Sequence, residues 1–96
     1  MDTNNDLPFQ HLAELFSALS DANRLRILNL LLDGEQSVGA LCKQLELSES
    51  NVSHQLRGLR LQRIVRARKQ GRSVYYSLDD EHVSGLLRQS LEHLSH

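Results

Sequence analysis

Between Ile64 and Leu78 the spacing of apolar residues stops being helical. The run IVRARKQGRSVYYSL holds two short β-prone pieces on either side of Gln70-Gly71-Arg72, the pattern of a hairpin with glycine at its turn. The segments before and after it keep a helical period, so the chain is expected to fold as helices carrying one hairpin. The first helix is predicted to start near Asp6-Leu7-Pro8, with Asp as cap and Pro in the first turn, and Phe9, Leu12, Leu15, Phe16 and Leu19 keep its period. Ser20-Asp21 breaks the chain and caps a second helix, marked by Leu25, Leu28, Leu31 and Leu32 and stopped by Asp33-Gly34. Ser37 caps a short third helix with Val38, Leu41, Cys42 and Leu45 on one stripe. Glu46-Leu47 makes a tight turn and Ser48 caps a fourth helix. On it Val52, Leu56, Leu59 and Arg63 share a side, the stem of Arg63 covering apolar surface. A last helix starts near Asp79, carries Val83, Leu86, Leu87, Leu91 and Leu94 as its stripe, and ends at His96.

The expected fold is therefore mainly α with a β-hairpin wing, a winged helix-turn-helix. The 96 residues make one domain spanning 1–96. The reading unit covers about 37–61, the wing about 64–77, and the last helix about 79–96. A chain this short buries a modest core, which a homodimer would enlarge. No apolar run approaches the ~18 residues of a membrane span, and the polar, acidic start MDTNNDLPFQ is no secretory signal. One cysteine forms no internal disulfide, so a cytoplasmic location is expected.

The net charge of −1 conceals two opposed regions. Residues 37–73 carry eight basic and two acidic side chains, a net +6, and the remainder carries three basic and ten acidic, a net −7. A basic middle with acidic flanks suits one face for a polyanion. On the fourth helix the side away from the core carries Ser50, Asn51, His54 and Arg57, with Ser53 at its edge. Arg57 has the fork to pair with guanine and Asn51 the amide to pair with adenine, while Ser and His serve bases or phosphates. Glu49 suits the positive end of its helix. Arg68, Lys69 and Arg72 crowd the hairpin and suit phosphate or minor-groove contact. A capped short helix, a tight turn, a polar helix face and a basic hairpin in succession point to double-stranded operator DNA. One such unit reads few base pairs, so a homodimer on an inverted repeat is expected.

The last helix carries a second constellation, Asp80-Glu81-His82 followed by His93-Leu94-Ser95-His96. His93 and His96 are one helical turn apart, and His82 lies eleven positions before His93, within about 20° of whole turns. Those eleven residues also separate the two groups by ~16 Å along the axis, far beyond zinc–nitrogen bonds of ~2.0–2.1 Å. One chain cannot close one site with both. Two antiparallel copies can, Asp80 and His82 of one facing His93 and His96 of the other. Three nitrogens and one oxygen make a tetrahedral set acceptable to Zn2+ or Co2+. With every position filled by protein, such a site is structural or regulatory. No H-E-x-x-H, Gly-rich phosphate loop or nucleophile with a paired base is present, so an enzyme is not expected.

The stretch ALSDANRLRILNLLLDGEQSVGALCKQLELSESNVSHQLRGLRLQRIVRARKQGRSVYYSL closely resembles the ArsR/SmtB family of bacterial metal-sensing winged-helix repressors. LSESNVSHQLRGL and RKQGRSVYYSL are the most specific parts. Within the family the chain is most similar to the CzrA-like zinc/cobalt sensors, whose D-x-H…H-x-x-H pattern falls here on Asp80, His82, His93 and His96. The resemblance implies a homodimer, joined through its N- and C-terminal helices, that binds an operator without metal and releases it with metal. The chain departs from the family's Cys-x-Cys pair on the third helix, having Ser37 and Gly39 at those positions. Cys42 matches a third family cysteine but lies on the apolar stripe, so it is expected in the core. A single thiol weakens cadmium, lead and arsenic sensing. An ArsR-like repressor answering a non-metal signal or nickel is the alternative.

Overall fold

Side-chain oxygens set most of the helix starts. Asp21 accepts from the backbone N–H of Asn23 at 2.8 Å and of Arg24 at 3.1 Å, opening α2 (Ala22–Leu31). Ser37 Oγ accepts from Ala40 N–H at 3.1 Å and opens α3 (Val38–Leu45). Ser48 Oγ does the same for Asn51 N–H at 3.1 Å and opens α4 (Glu49–Leu61). Each satisfies an amide that the first helical turn would otherwise leave without a partner. The first helix, α1 (Leu7–Ala18), begins where expected but without this device. Asp6 already has helical angles, φ −93° and ψ −18°, and its carboxylate takes the Gln10 side-chain amide at 2.8 Å. The last helix, α5 (Glu81–Leu94), is capped by Asp80, one residue later than expected, with Oδ1 accepting from Val83 N–H at 3.1 Å. The computed structural model describes residues 5–95.

The winged helix-turn-helix is present, and its wing is larger than a hairpin. Strands β2 (Val65–Gln70) and β3 (Ser73–Leu78) pair antiparallel, from Val65 opposite Leu78 to Gln70 opposite Ser73. Gly71 takes φ +60° at the first turn position, where a two-residue type II′ turn calls for glycine. A two-residue strand, β1 (Gln36–Ser37), adds to the free edge of β3, with Gln36 opposite Tyr76 and Ser37 opposite Tyr75. The sheet order is β1-β3-β2. Ser37 thus pairs in the sheet through its backbone and caps α3 through its side chain. Two residues are too few to show a period, which is why the sequence shows the cap and hides the strand.

The core sits where the helix-turn-helix meets the sheet. Ile27, Leu28 and Leu31 of α2, Leu41 of α3, Val52, Leu56 and Leu59 of α4, and Ile64 and Val65 leading into β2 are all buried. Each such side chain contributes about 1.5–3 kcal/mol relative to exposure. Two expectations need correction. Leu25 is exposed and Ile27 takes the inward place on α2. Arg63 does not continue the stripe of α4 and its side chain is exposed, because the helix has ended: Arg63 sits at φ +57°. Ile64 N–H reaches back to Leu59 carbonyl oxygen at 2.9 Å and Arg63 N–H to Arg60 carbonyl oxygen at 3.0 Å, a Schellman closure with a buried Ile64–Leu59 pair.

Helices α1 and α5 stand apart from this pattern. Each gives the core one buried residue, Ala18 and Leu87. Phe9, Leu12 and Phe16 of α1 and Leu91 and Leu94 of α5 are exposed, Phe9 at 67% and Leu94 at 79%. No helix of the described residues is long and apolar enough to cross a membrane.

Candidate nucleic-acid interface and metal centre

The Ser48 cap and the buried row Val52, Leu56 and Leu59 fix which side of α4 points away from the core. Ser50, His54 and Arg57 are exposed there, as expected of a reading face. Ser53 and Asn51 are half-buried. Asn51 Oδ1 is fully buried and has no hydrogen-bond partner among the described residues. A two-pronged contact to adenine therefore needs this amide to turn outward. Lys69 and Arg72 are exposed at the end of the wing.

Arg68 is engaged elsewhere. Its Nε and Nη2 donate to the two carboxylate oxygens of Glu35 at 3.0 and 2.6 Å, and its Nη1 donates to Gln70 Oε1 at 2.6 Å. Its guanidinium also lies over the Tyr75 ring, 5.0 Å from the centroid. The hydrogen bond from Arg68 holds the Glu35 carboxyl below the usual carboxylate range, and the charges of Arg68 and Arg66 add to this. The same pair raises Arg68. This fork-to-carboxylate bond joins the loop after α2 to the wing across 33 positions of sequence, so no local pattern could show it.

A groove of about 570 Å³ runs between α4 and the wing. Ser53, Arg57 and Arg60 line it from α4 and Arg72 from the wing. Arg60 was not singled out as a site residue from the sequence. Its signal is the three-residue spacing from Arg57, which places both on one helix face.

On α5, Asp80 and His82 come together and His93 does not join them. His82 Nδ1 lies 3.6 Å from Asp80 Oδ2, while Asp80 Oδ1 is spent on the cap. Val83 N–H, then the imidazole of His82, hold the Asp80 carboxyl below its usual range. Two donors on one tetrahedral zinc with bonds of ~2.0–2.1 Å stand about 3.3 Å apart, so this pair fits half a coordination shell. His82 is 96% exposed and open to a further partner. His93 lies in the exposed last turn, and His96 falls outside the described residues. α5 runs unbroken from Glu81 to Leu94, so the two groups stay ~16 Å apart along the axis. Among the described residues no three metal-ligating side chains of one chain converge.

Residues 21–67 match the arsR family model of bacterial regulatory proteins. The chain is 52% identical over 85 residues to a "transcriptional repressor SmtB homolog" of Synechocystis, covering 88% of this chain and 64% of that protein. It is 44% identical over 82 residues to a "cadmium resistance transcriptional regulatory protein CadC homolog" of Staphylococcus aureus, covering 84% and 68% respectively. The chain belongs to the ArsR family. Among solved structures, the homodimeric winged helix-turn-helix DNA-binding domain of a possible ArsR-family regulator from Mycobacterium bovis matches with a TM-score of 0.92. That match has 26% identity and covers 99% of this chain and 88% of that one.

ArsR membership places the chain among bacterial regulatory proteins. The Ser37 hydroxyl is committed to the Ala40 amide. Cys42 is half-buried and packs against the core. Among the described residues α3 therefore offers one thiol.

Proposed function

We propose that this chain is a metal-responsive transcriptional repressor. In this reading it binds an inverted-repeat operator as a homodimer and lets go when zinc or cobalt binds between the two α5 helices. The observation that carries the metal part is the Asp80–His82 pair, 3.6 Å apart and exposed, on a helix whose other donors lie too far along the axis to join it. Asp80 and His82 would be completed by His93 and His96 of the partner subunit. A bound divalent cation supplies a cross-link between the α5 helices. The exposed apolar residues of α1 and α5 support a dimer through those helices, since a patch of this kind on a small monomer would invite association.

A packed route leads from α5 to the reading helix. Asp79 N–H donates to Ile64 carbonyl oxygen at 3.0 Å, just before the Asp80 cap. Ile64 closes the end of α4, and it borders a small apolar cavity of about 130 Å³ shared with Leu15, Leu86 and His82. Fixing Asp80 thus bears on the residue that closes α4, through the neighbouring Asp79–Ile64 hydrogen bond. If the fixed arrangement spaces the two reading helices wrongly for the half-sites, operator affinity falls.

The test uses a labelled operator duplex recovered by selection from a random library. Zinc is expected to weaken binding of the wild-type protein, and His93→Ala is expected to bind equally well with and without zinc. Unchanged wild-type affinity rejects metal-driven release. A cobalt absorption spectrum is expected to show a tetrahedral site with one ion per chain; an octahedral spectrum favours nickel instead.

A further inference from the structure

Arg24 lies in the first turn of α2, where Asp21 Oδ1 accepts from its backbone N–H at 3.1 Å and fixes where its side chain starts. The half-buried side chain then leaves α2 altogether. Nε donates to Gln55 Oε1 of α4 at 2.8 Å, and Nη1 donates to the Ala18 carbonyl oxygen of α1 at 3.2 Å. That carbonyl is the last of its helix, and it has no partner within α1. Ala18 is also the one residue that α1 buries in the core. The guanidinium lies over Gly58 of α4, where an added Cβ would stand 3.3 Å from Nη2 and 3.7 Å from Cζ. Helices α1, α2 and α4 therefore meet at one side chain.

We propose that Arg24 is a positioning residue of the reading helix, locking α4 to the end of α1. The inference deepens the DNA-reading function above and rests on it. Phe9, Leu12 and Phe16 of α1 are exposed and belong to the surface proposed to pair two chains. The placement of α4 against α1 then sets how far apart the two reading helices of a dimer stand. Half-sites one turn of DNA apart, about 34–36 Å, admit little error in that placement. The lock needs arginine and glycine together. A planar fork reaches acceptors on two helices and lies flat against one of them, which a single ammonium does not do. Gly58 leaves the room, although glycine weakens a helix interior. Gln55 must offer its oxygen, because a guanidinium only donates. The bond thus fixes the rotation of an amide next to the exposed His54. Arg24 has no carboxylate partner among the described residues, so direct contact with a phosphate is the rival role.

Fluorescence anisotropy compares variants of the whole chain on two labelled duplexes, the selected operator and one of mixed sequence. Mixed-sequence binding rests on phosphate charge and tolerates misplaced reading helices, and operator binding does not. Arg24→Lys keeps the charge and loses the fork. Its operator affinity is expected to fall about tenfold, the worth of one charge-assisted hydrogen bond, while its mixed-sequence affinity holds. Retained operator affinity overturns the proposal in favour of a phosphate contact, which needs only the charge. An equal loss on both duplexes overturns it in favour of a fold merely weakened. Gly58→Ala favours the helix itself, so it tests the lock without threatening folding. With Arg24 present it is expected to lower operator affinity several-fold, and in an Arg24→Ala background to change it little. Equal losses in the two backgrounds also overturn the proposal. A wild-type protein that binds neither duplex would instead defeat the DNA-reading function itself.

Discussion

Arg63 shows how one residue can be misjudged by period and explained by geometry. Four positions after Leu59, it falls on the side of α4 that faces the core if the helix continues. The helix stops at Leu61, and the φ of +57° at Arg63 turns the chain into β2. Left-handed angles cost an L-residue about 1–2 kcal/mol, and a glycine at this position is the usual remedy. The sequence has Gly58 nearby and none at 63, so the stop carries no local signature. It is imposed by the burial of Ile64 against Leu59 and by the sheet that follows. Glu46, at φ +55°, ends α3 in the same way, but there the adjacent Ser48 cap makes the break legible. Arg63→Gly is expected to stabilise the fold by up to about 1 kcal/mol, since it relieves the strain and gives back part of it as unfolded-state entropy. A urea melt checks this through a higher midpoint at unchanged slope. A lower midpoint would mean that the Arg63 side chain holds something the backbone argument leaves out.

At the scale of elements, what was legible followed from hydrogen-bond chemistry close in sequence. The caps at Asp21, Ser37 and Ser48 and the glycine turn at 71 are short-range, and they place α2, α3, α4 and the wing. The exposure of Ser50, His54 and Arg57 on one side of α4 follows from the same helix period. What was hidden is long-range. β1 exists because β3 offers it an edge, and Arg68 leaves the candidate DNA contacts because Glu35 arrives from another loop. That tie between loop and wing depends on pH in a defined direction. The Glu35 carboxyl is held below its usual range in the fold, so its contribution to stability is present above the ordinary glutamate range. It is lost as pH falls through the lowered folded value. Both side chains are partly in water, which screens the pair and keeps the effect small. The difference in stability between wild type and Glu35→Gln is therefore expected to be largest at neutral pH and to vanish in acid. Paired urea melts at neutral and acidic pH measure it, and a difference that grows on acidification contradicts the assignment.

The whole molecule is where the metal and the apolar faces become one question. Asp80 and His82 lie 3.6 Å apart on one chain as the proposed half of a shell, and the helices that would bring the other half also carry Phe9, Phe16, Leu91 and Leu94 uncovered. If the partner subunit supplies both the missing donors and the missing apolar cover, zinc binding and dimerisation share one free energy. By linkage, zinc must then tighten the dimer by the same factor that dimerisation tightens zinc. Couplings of this kind commonly amount to about 5–150-fold. Phe16→Glu separates dimerisation from ligation, because Phe16 lies on α1, is 51% exposed and is none of the proposed ligands. The variant is expected to keep its far-ultraviolet dichroism, to sediment as a monomer, and to bind zinc at least tenfold more weakly with every ligand residue intact. Wild-type protein is expected to lose zinc affinity in parallel when diluted through its dimer dissociation. A monomeric Phe16→Glu that binds zinc as tightly as the dimer would place the site within one chain, and the shared-shell mechanism would fail while the proposed DNA binding stood.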